Sequence, residues 1–497
     1  MSLAHSKVFL HALRTSDFSS SPWPRIGWGL FLSLILGALG VAFGFQLSAL
    51  FFIGLLFVFI CAWRLPYLLF YLSIFTAPMI GWLISLSTGT IQFGARAFGG
   101  SIDIPVGDLF ALIALTAWVM RVLFLWGKQK DHYWKPWLPL VIPYGFLVAV
   151  HLATLLSPAQ PDPLMVVKYS LRPVLFVYLA SVALPVNFLR SRLRLQTTLS
   201  LIVISGMIFA FDGLLSLFLG GSGLYLAHPL PWFGIYPIGD NHNVLAEWLL
   251  FTAPVALAFS LMTKSELVKK YSQYGAAFMV LIALLTLARS AWITCIVELL
   301  FLGATIWRAW LKRSLQTVLA VALLFSPLAL YMAFFSSRAE VQGSTDARVM
   351  LAGIALELFR ESPFIGVGAG TFVSHVASTW SFMYEYGSPL DSHGYLQKLA
   401  AETGLLGLFA FAGVVIVLFW YLSSSWKELK QHSATERTLF AYLCAGVLGA
   451  FVYQIFNTTY WTPKLWLPVG IALAATRILI LRPREQDPNF LTNTTEK

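Results

Sequence analysis

Charge is scarce in this sequence. Only 11% of its 497 residues are Asp, Glu, Lys or Arg, and mean hydropathy is +0.76. A soluble domain carries about a quarter charged residues, so a soluble enzyme and a disordered chain are both excluded. Acids are scarcer than bases, 22 against 33, which gives a formal net charge of +11. In a soluble protein that excess would suggest nucleic acid. Here the basic residues fall between long apolar runs, so it points to cytoplasmic loops and no nucleic-acid partner is expected. Cysteine is nearly absent: Cys61, Cys295 and Cys444 each lie inside an apolar run, which argues against a disulfide scaffold or a zinc site. No cleavable signal peptide is expected, because residues 1–26 are polar and mildly basic and the apolar stretch after them is long enough to span.

What remains is apolar, with 58% hydrophobic residues, 40 Phe and 18 Trp. Runs of roughly 17–24 residues can cross a hydrocarbon core about 30 Å thick. Such runs lie near 27–44, 46–63, 66–88, 105–125, 138–156, 165–184, 198–219, 244–263, 275–288, 291–310, 315–335, 399–421, 438–456 and 465–481. The expected fold is an all-α polytopic transmembrane helix bundle of about 12–14 spans with membrane lipids around it.

Basic residues orient it. With the N-terminus cytoplasmic, 24 of the 33 fall inside, and both termini are cytoplasmic. The exceptions outside are Arg96, Lys168, Arg172, Arg289, Arg338, Arg348, Arg360, Lys398 and Lys464. Cations that oppose the rule are candidates for function, above all at span ends.

One outer segment is long. The expected division is a cytoplasmic segment 1–26, a bundle 27–335, an outer loop region 336–398, C-terminal spans 399–481 and a cytoplasmic tail 482–497. Within the loop, residues 346–361 look helical, with Asp346 as N-cap and too many charges to span, so the helix is expected at the membrane interface. SPFIGVGAG reads as a tight Pro/Gly turn. It lacks the flanking strand and helix of a nucleotide fingerprint. In the following helix His393 and Gln397 share a face, Lys398 and Glu402 are four apart and can pair, and Gly404 and Gly407 allow close helix packing. The intramembrane acids Asp212, Glu247 and Glu298 could each be a proton relay or a helix–helix hydrogen bond; the second reading is preferred for Asp212 and Glu298, whereas Glu247 is expected to border the site. Asp240, His242 and Asn243 are close together, but no carboxylate cluster or His-x-x-x-His spacing supports a metal.

LLTLARSAW (284–292), Arg348, ESPFIGVGAGTF (361–372) and DSHGYLQKLAAETGLLGL (391–408) together resemble the signature of the O-antigen ligase / Wzy-type polymerase superfamily. NHNVLAEWLL (241–250) is similar to the family's Asn-x-Leu-Ala helix start. The resemblance covers roughly residues 225–420. Two departures stand out: Ala288–Arg289 replaces the family's Ser-Arg, and HPLPWFGIYPIGDNHN carries none of the arginine usual before the Asn-x-Leu-Ala element. The resemblance implies a bacterial inner-membrane enzyme of lipopolysaccharide or other polysaccharide biosynthesis, with its active site facing the periplasm. It would move a glycan from undecaprenyl diphosphate to a lipid or glycan acceptor in the outer leaflet, lipid A-core in the ligase case, as a metal-independent inverting glycosyltransferase without cofactor.

That chemistry assigns roles. A guanidinium fork suits the leaving diphosphate, which points to Arg289, with Arg348, Arg172 or Lys168 as further cations. A neutral histidine can take the acceptor's proton, which points to His393. Asp391 could orient the imidazole or cap the helix. Gln397, Glu402, Asn243 and Glu247 are secondary candidates. A polymerase of the same superfamily needs the same site. A small-anion transporter of bicarbonate type is the rival from another class. It should show internal repeats around a midplane site, and none is evident.

Overall fold

The structure, a computed structural model, describes residues 66–93, 96–125, 136–219, 226–309, 338–429, 431–457 and 462–481. The expected spans at 27–44, 46–63 and 315–335 and both cytoplasmic tails lie outside the described residues. The chain divides into two compact units, Met1–Trp137 and Leu138–Lys497.

In the first unit, α1 (Pro66–Thr76) packs against α2 (Val106–Leu125). An antiparallel hairpin of β1 (Leu83–Phe93) and β2 (Arg96–Pro105) joins them. The single span expected at 66–88 is therefore corrected. Pro78 pushes Ala77 out of the helical region, and LISLSTGTIQF is rich in β-branched residues that suit a strand. Hydropathy alone counted its first residues as helix.

The second unit holds α3 (Val141–Leu156), α4 (Pro163–Phe188), α5 (Arg192–Leu219), α6 (His242–Met262), α7 (Glu266–Leu285), α8 (Arg289–Thr305) and α9 (Arg338–Glu361). It continues with α10 (Phe372–Ser378), α11 (Trp380–Tyr386), α12 (Tyr395–Leu429), α13 (Ala434–Ile455) and α14 (Pro463–Ile480). Among the described residues seven helices are long and apolar enough to cross a membrane: α2, α4, α5, α6, α12, α13 and α14. The protein is an all-α polytopic bundle of the multi-pass membrane class. The expected hairpin at 275–288 and 291–310 is α7 and α8, turning at Leu287 with a left-handed φ of 55°.

Helix α6 is the hub and packs against α5, α7, α8, α13 and α14. It is apolar all round, as a helix with neighbours on every side must be. Trp248 on it is fully buried.

Helix α9 begins at Arg338, eight residues before Asp346, so Asp346 is not an N-cap and Arg348 is not at a helix start. Its stripe Leu351, Ile354, Ala355 and Leu358 packs with Val367, Phe372, Val376, Phe382 and Ala401. The apolar face predicted for a membrane surface is thus covered by protein. Each such side chain contributes about 1.5–3 kcal/mol relative to exposure in water.

Candidate functional site

The segment between α9 and α12 is fastened to the bundle by an exchange of backbone hydrogen bonds. Gly404 breaks α12 with φ 63°. The break frees the Ala401 and Glu402 carbonyls and the Leu405 and Leu406 N–H groups. The Pro/Gly turn takes all four: Val367 N–H donates to Ala401 O (2.9 Å), Gly368 N–H to Glu402 O (3.1 Å), Leu405 N–H to Pro363 O (2.8 Å) and Leu406 N–H to Phe364 O (3.1 Å). A Cβ on Gly404 would strike the Phe364 carbonyl, and one on Gly366 (φ 80°) the Glu402 carbonyl. The close approach expected of Gly404 is therefore to a loop. Gly407 instead leaves room for the Thr403 side chain of its own helix.

The remaining N–H groups of the turn are also used. Gly366 donates to Ser362 O (2.8 Å), Ala369 to Thr154 Oγ1 (3.1 Å) and Thr371 to Gly368 O (3.3 Å). Gly370 and Phe372 donate to the Glu402 carboxylate, the latter at 3.1 Å from Oε1. The turn cradles a side-chain carboxyl group, that of Glu402, which is fully buried. Every N–H from Gly366 to Phe372 has an acceptor in the protein, in keeping with a structural turn. Ser157 Oγ completes the fastening by donating to Gly366 O (2.6 Å).

His393 lies in the bend just before α12. Beside it, Lys398 Nζ bridges both Asp391 carboxylate oxygens (2.8 and 2.7 Å) and lies 4.0 Å from Glu402 Oε1. Asp391 also accepts from Ser392 N–H (2.8 Å). Gln397 meets Ser392 Oγ through its Oε1 (3.4 Å). Burial, then the Arg348 charge, holds His393 below its ordinary value, while Asp391 pushes the other way.

Arg348 is the centre of the electrostatic cluster. It acts on His393 and on His242, and it feels Arg289 and Tyr453. Burial first, and Arg289 second, disfavour its charge. Its buried Nε has no hydrogen-bond partner among the described residues. Among those residues no carboxylate pairs with Arg289 or Arg348. An arginine stays protonated in proteins, so two like charges here have no paired acid among the described residues. Arg289 is exposed at the first position of α8, where the helix end adds further positive potential.

Below this cluster lies a polar layer that the sequence reading missed in part. Tyr453 on α13 donates to the Asn243 backbone carbonyl (2.6 Å) and hydrogen-bonds Ser290, next to Arg289. Gln454 donates to Glu247 Oε1, and Lys464 Nζ lies 3.5 Å from Glu247 Oε2. Glu247, set apart from the other acids as bordering the site, thus makes helix–helix contacts as well. The polar pair Tyr453–Gln454 closing an apolar span was the available signal. Asp212 departs from expectation: it accepts from Trp232 Nε1 (2.9 Å) and Leu230 N–H (3.0 Å), so it holds the 226–241 loop rather than a helix. Glu298 packs on Gly449 of α13.

The predicted cations therefore separate. Lys398 and Lys464 pair with acids, whereas Arg289 and Arg348 pair with none among the described residues. Lys168 and Arg172 are exposed on α4. The Asn243 side chain bonds Asn241 Oδ1 (2.9 Å), and Asn241 caps α6 by accepting from Asn243 N–H (2.8 Å). The helix start read from NHNVLA is as expected.

Residues 274–412 match the Wzy_C family, described as O-antigen ligase. The resemblance read from the motifs is borne out over this stretch, which contains Arg289, Arg348, the Gly366–Gly370 turn and His393. No curated protein matches the chain.

Proposed function

We propose that this chain, whose residues 274–412 carry an O-antigen ligase domain, transfers a glycan from a polyprenyl diphosphate to a sugar hydroxyl at the outer face of the bacterial inner membrane. The family supports glycan chemistry of the ligase or polymerase type. The observation that carries the finer reading is the pair Arg289 and Arg348, without a paired acid among the described residues, in the field of a half-buried histidine.

In this reading the donor diphosphate bridges the two guanidinium groups, whose forks match phosphate oxygens. The acceptor hydroxyl attacks the anomeric carbon from the face opposite the diphosphate, so configuration inverts. A carbon–oxygen bond forms to the acceptor, and the bond to the phosphate oxygen breaks. His393 takes the hydroxyl proton, and polyprenyl diphosphate departs with its charge held by Arg289 and Arg348. His393 suits this role because burial and Arg348 favour its neutral form. Two fixed cations supply the positive charge that a metal would otherwise provide, so the reaction is proposed to be metal-independent. The acceptor is proposed to be lipid A-core or a similar glycolipid.

Two measurements test this. Cells lacking the protein should accumulate finished lipid-linked chains. Accumulation of single unpolymerised repeats would mean polymerase, and no accumulation would overturn the glycan reading. The purified protein should transfer glycan from that lipid fraction to acceptor, with loss in the Arg289→Ala and Arg348→Ala variants.

A further inference from the structure

Lys398 stands out among the outer cations. Its side chain is 4% exposed, yet it does not belong to the arginine pair. It closes a ring with Asp391, seven residues earlier, through both carboxylate oxygens. His393 lies inside that ring. The same Nζ is 4.0 Å from Glu402, the carboxylate that fills the glycine turn, and stands 5.7 Å from the centre of the Tyr169 ring on α4. Asp391 is 28% exposed, and its charge reaches the imidazole. The ring therefore fixes both the backbone that presents His393 and the charge beside it.

We propose that Lys398, through its ion pair with Asp391, is a positioning residue for His393 that sets the pH range in which the imidazole accepts a proton. The inference rests on the reading of His393 as the base. The charges facing His393 are Arg348 from α9 and Asp391 from its own segment, with Lys398 and Glu402 behind on α12. Arg289 on α8 and His242 on α6 face Arg348.

The two partners of the pair act on His393 with opposite sign. Removing Lys398 leaves Asp391 uncompensated and favours protonated imidazole. Removing the Asp391 charge favours neutral imidazole. A merely structural pair would give the same effect from either side.

The test uses the full-length protein in lipid nanodiscs. The rate at which His393 is acylated by diethyl pyrocarbonate, which attacks neutral imidazole, is followed against pH by peptide mass spectrometry. The midpoint should rise by about half a pH unit in Lys398→Met and fall by about as much in Asp391→Asn, as expected for one charge at close range in an intermediate dielectric. Lys398→Arg should leave it in place. The acid limb of transfer activity should follow the same order. Midpoints that stay fixed, or move in the same direction in both variants, overturn the proposal. If Lys398→Met fails to fold, Asp391→Asn against wild type still decides it, because an unmoved or raised midpoint is fatal. The failure of the base itself is read separately: His393→Ala at the wild-type transfer rate would remove the catalytic premise, whatever the acylation midpoints do.

Discussion

The Tyr453 hydroxyl donates a 2.6 Å hydrogen bond to the backbone carbonyl of Asn243, tying the end of α13 to the start of α6. The same phenol meets Ser290, the neighbour of Arg289, and lies in the field of Arg348. One buried group thus touches the starts of α6 and α8 and senses α9. Tyr453→Phe should weaken donor binding about 5–10-fold, since one buried hydrogen bond contributes about 1 kcal/mol. The pH profile of transfer should not move, because the base is untouched. Donor-lipid binding and pH-resolved kinetics on the purified variant check both statements.

Arg289→Ala and Arg348→Ala should each weaken donor binding about 10–100-fold, the equivalent of roughly 1.5–3 kcal/mol for a hydrogen bond to a charged group. The double variant should lose less than the sum, because two groups on one diphosphate are coupled. Arg289→Lys should recover only part, for want of a bidentate fork. Strict additivity in a double-mutant cycle would mean that the two do not share a ligand.

His393→Ala should lower turnover by about 10²–10⁴-fold, the range of general acid–base catalysis, with donor affinity nearly intact. The pH dependence has a definite sign. A base works when unprotonated, and His393 is held below its ordinary value. Wild-type transfer should therefore persist to pH values below about 6.5, where an unperturbed histidine is already half protonated. Arg348→Ala removes a cation that favours the neutral form, so the acid limb should shift upward. A downward shift would contradict the arrangement.

Glu402→Ala should lower thermal stability markedly. It leaves the Gly370 and Phe372 N–H groups buried without an acceptor, at about 1–3 kcal/mol for each. Gly404→Ala meets both a left-handed backbone and the Phe364 carbonyl, so it should release the turn. Limited proteolysis should then cut within 363–372 in the variant and not in wild type.

Transfer should survive a strong chelator. Among the described residues no group of three or more His, Cys, Asp or Glu could hold a metal ion. Activity lost in chelator and restored by magnesium or manganese would replace the two-arginine proposal.

Much of this was legible in the sequence because apolar run length and basic-residue counting are additive signals. They located α5, α6, α12, α13 and α14 and isolated nine cations, expected outside, for scrutiny. What they could not do was divide those cations. Lys464 and Arg289 look alike in the sequence, and only packing reveals that one faces Glu247 while the other pairs with no acid among the described residues. The start of α9 is not legible because Asp346 is a good cap in isolation, whereas the helix begins at Arg338, eight residues earlier. Residues 83–88, the part of β1 inside the expected span, are misread by hydropathy because it does not distinguish a strand from a helix over a short run.

The fastening of Ser157 to Gly366, across 209 residues, has a bearing on the order of assembly. Thr154 reaches Ala369 across 215 residues, and Tyr453 reaches Asn243 across 210. Helices close local contacts quickly, whereas contacts so distant in the chain form slowly. The bundle's early helices can be in place while the glycine turn still waits for α12, and the arginine pair waits for α13. A nascent chain therefore exposes no finished form of the proposed diphosphate site until its last spans have emerged. A chain truncated before Tyr453 would be a membrane protein in every respect but chemistry.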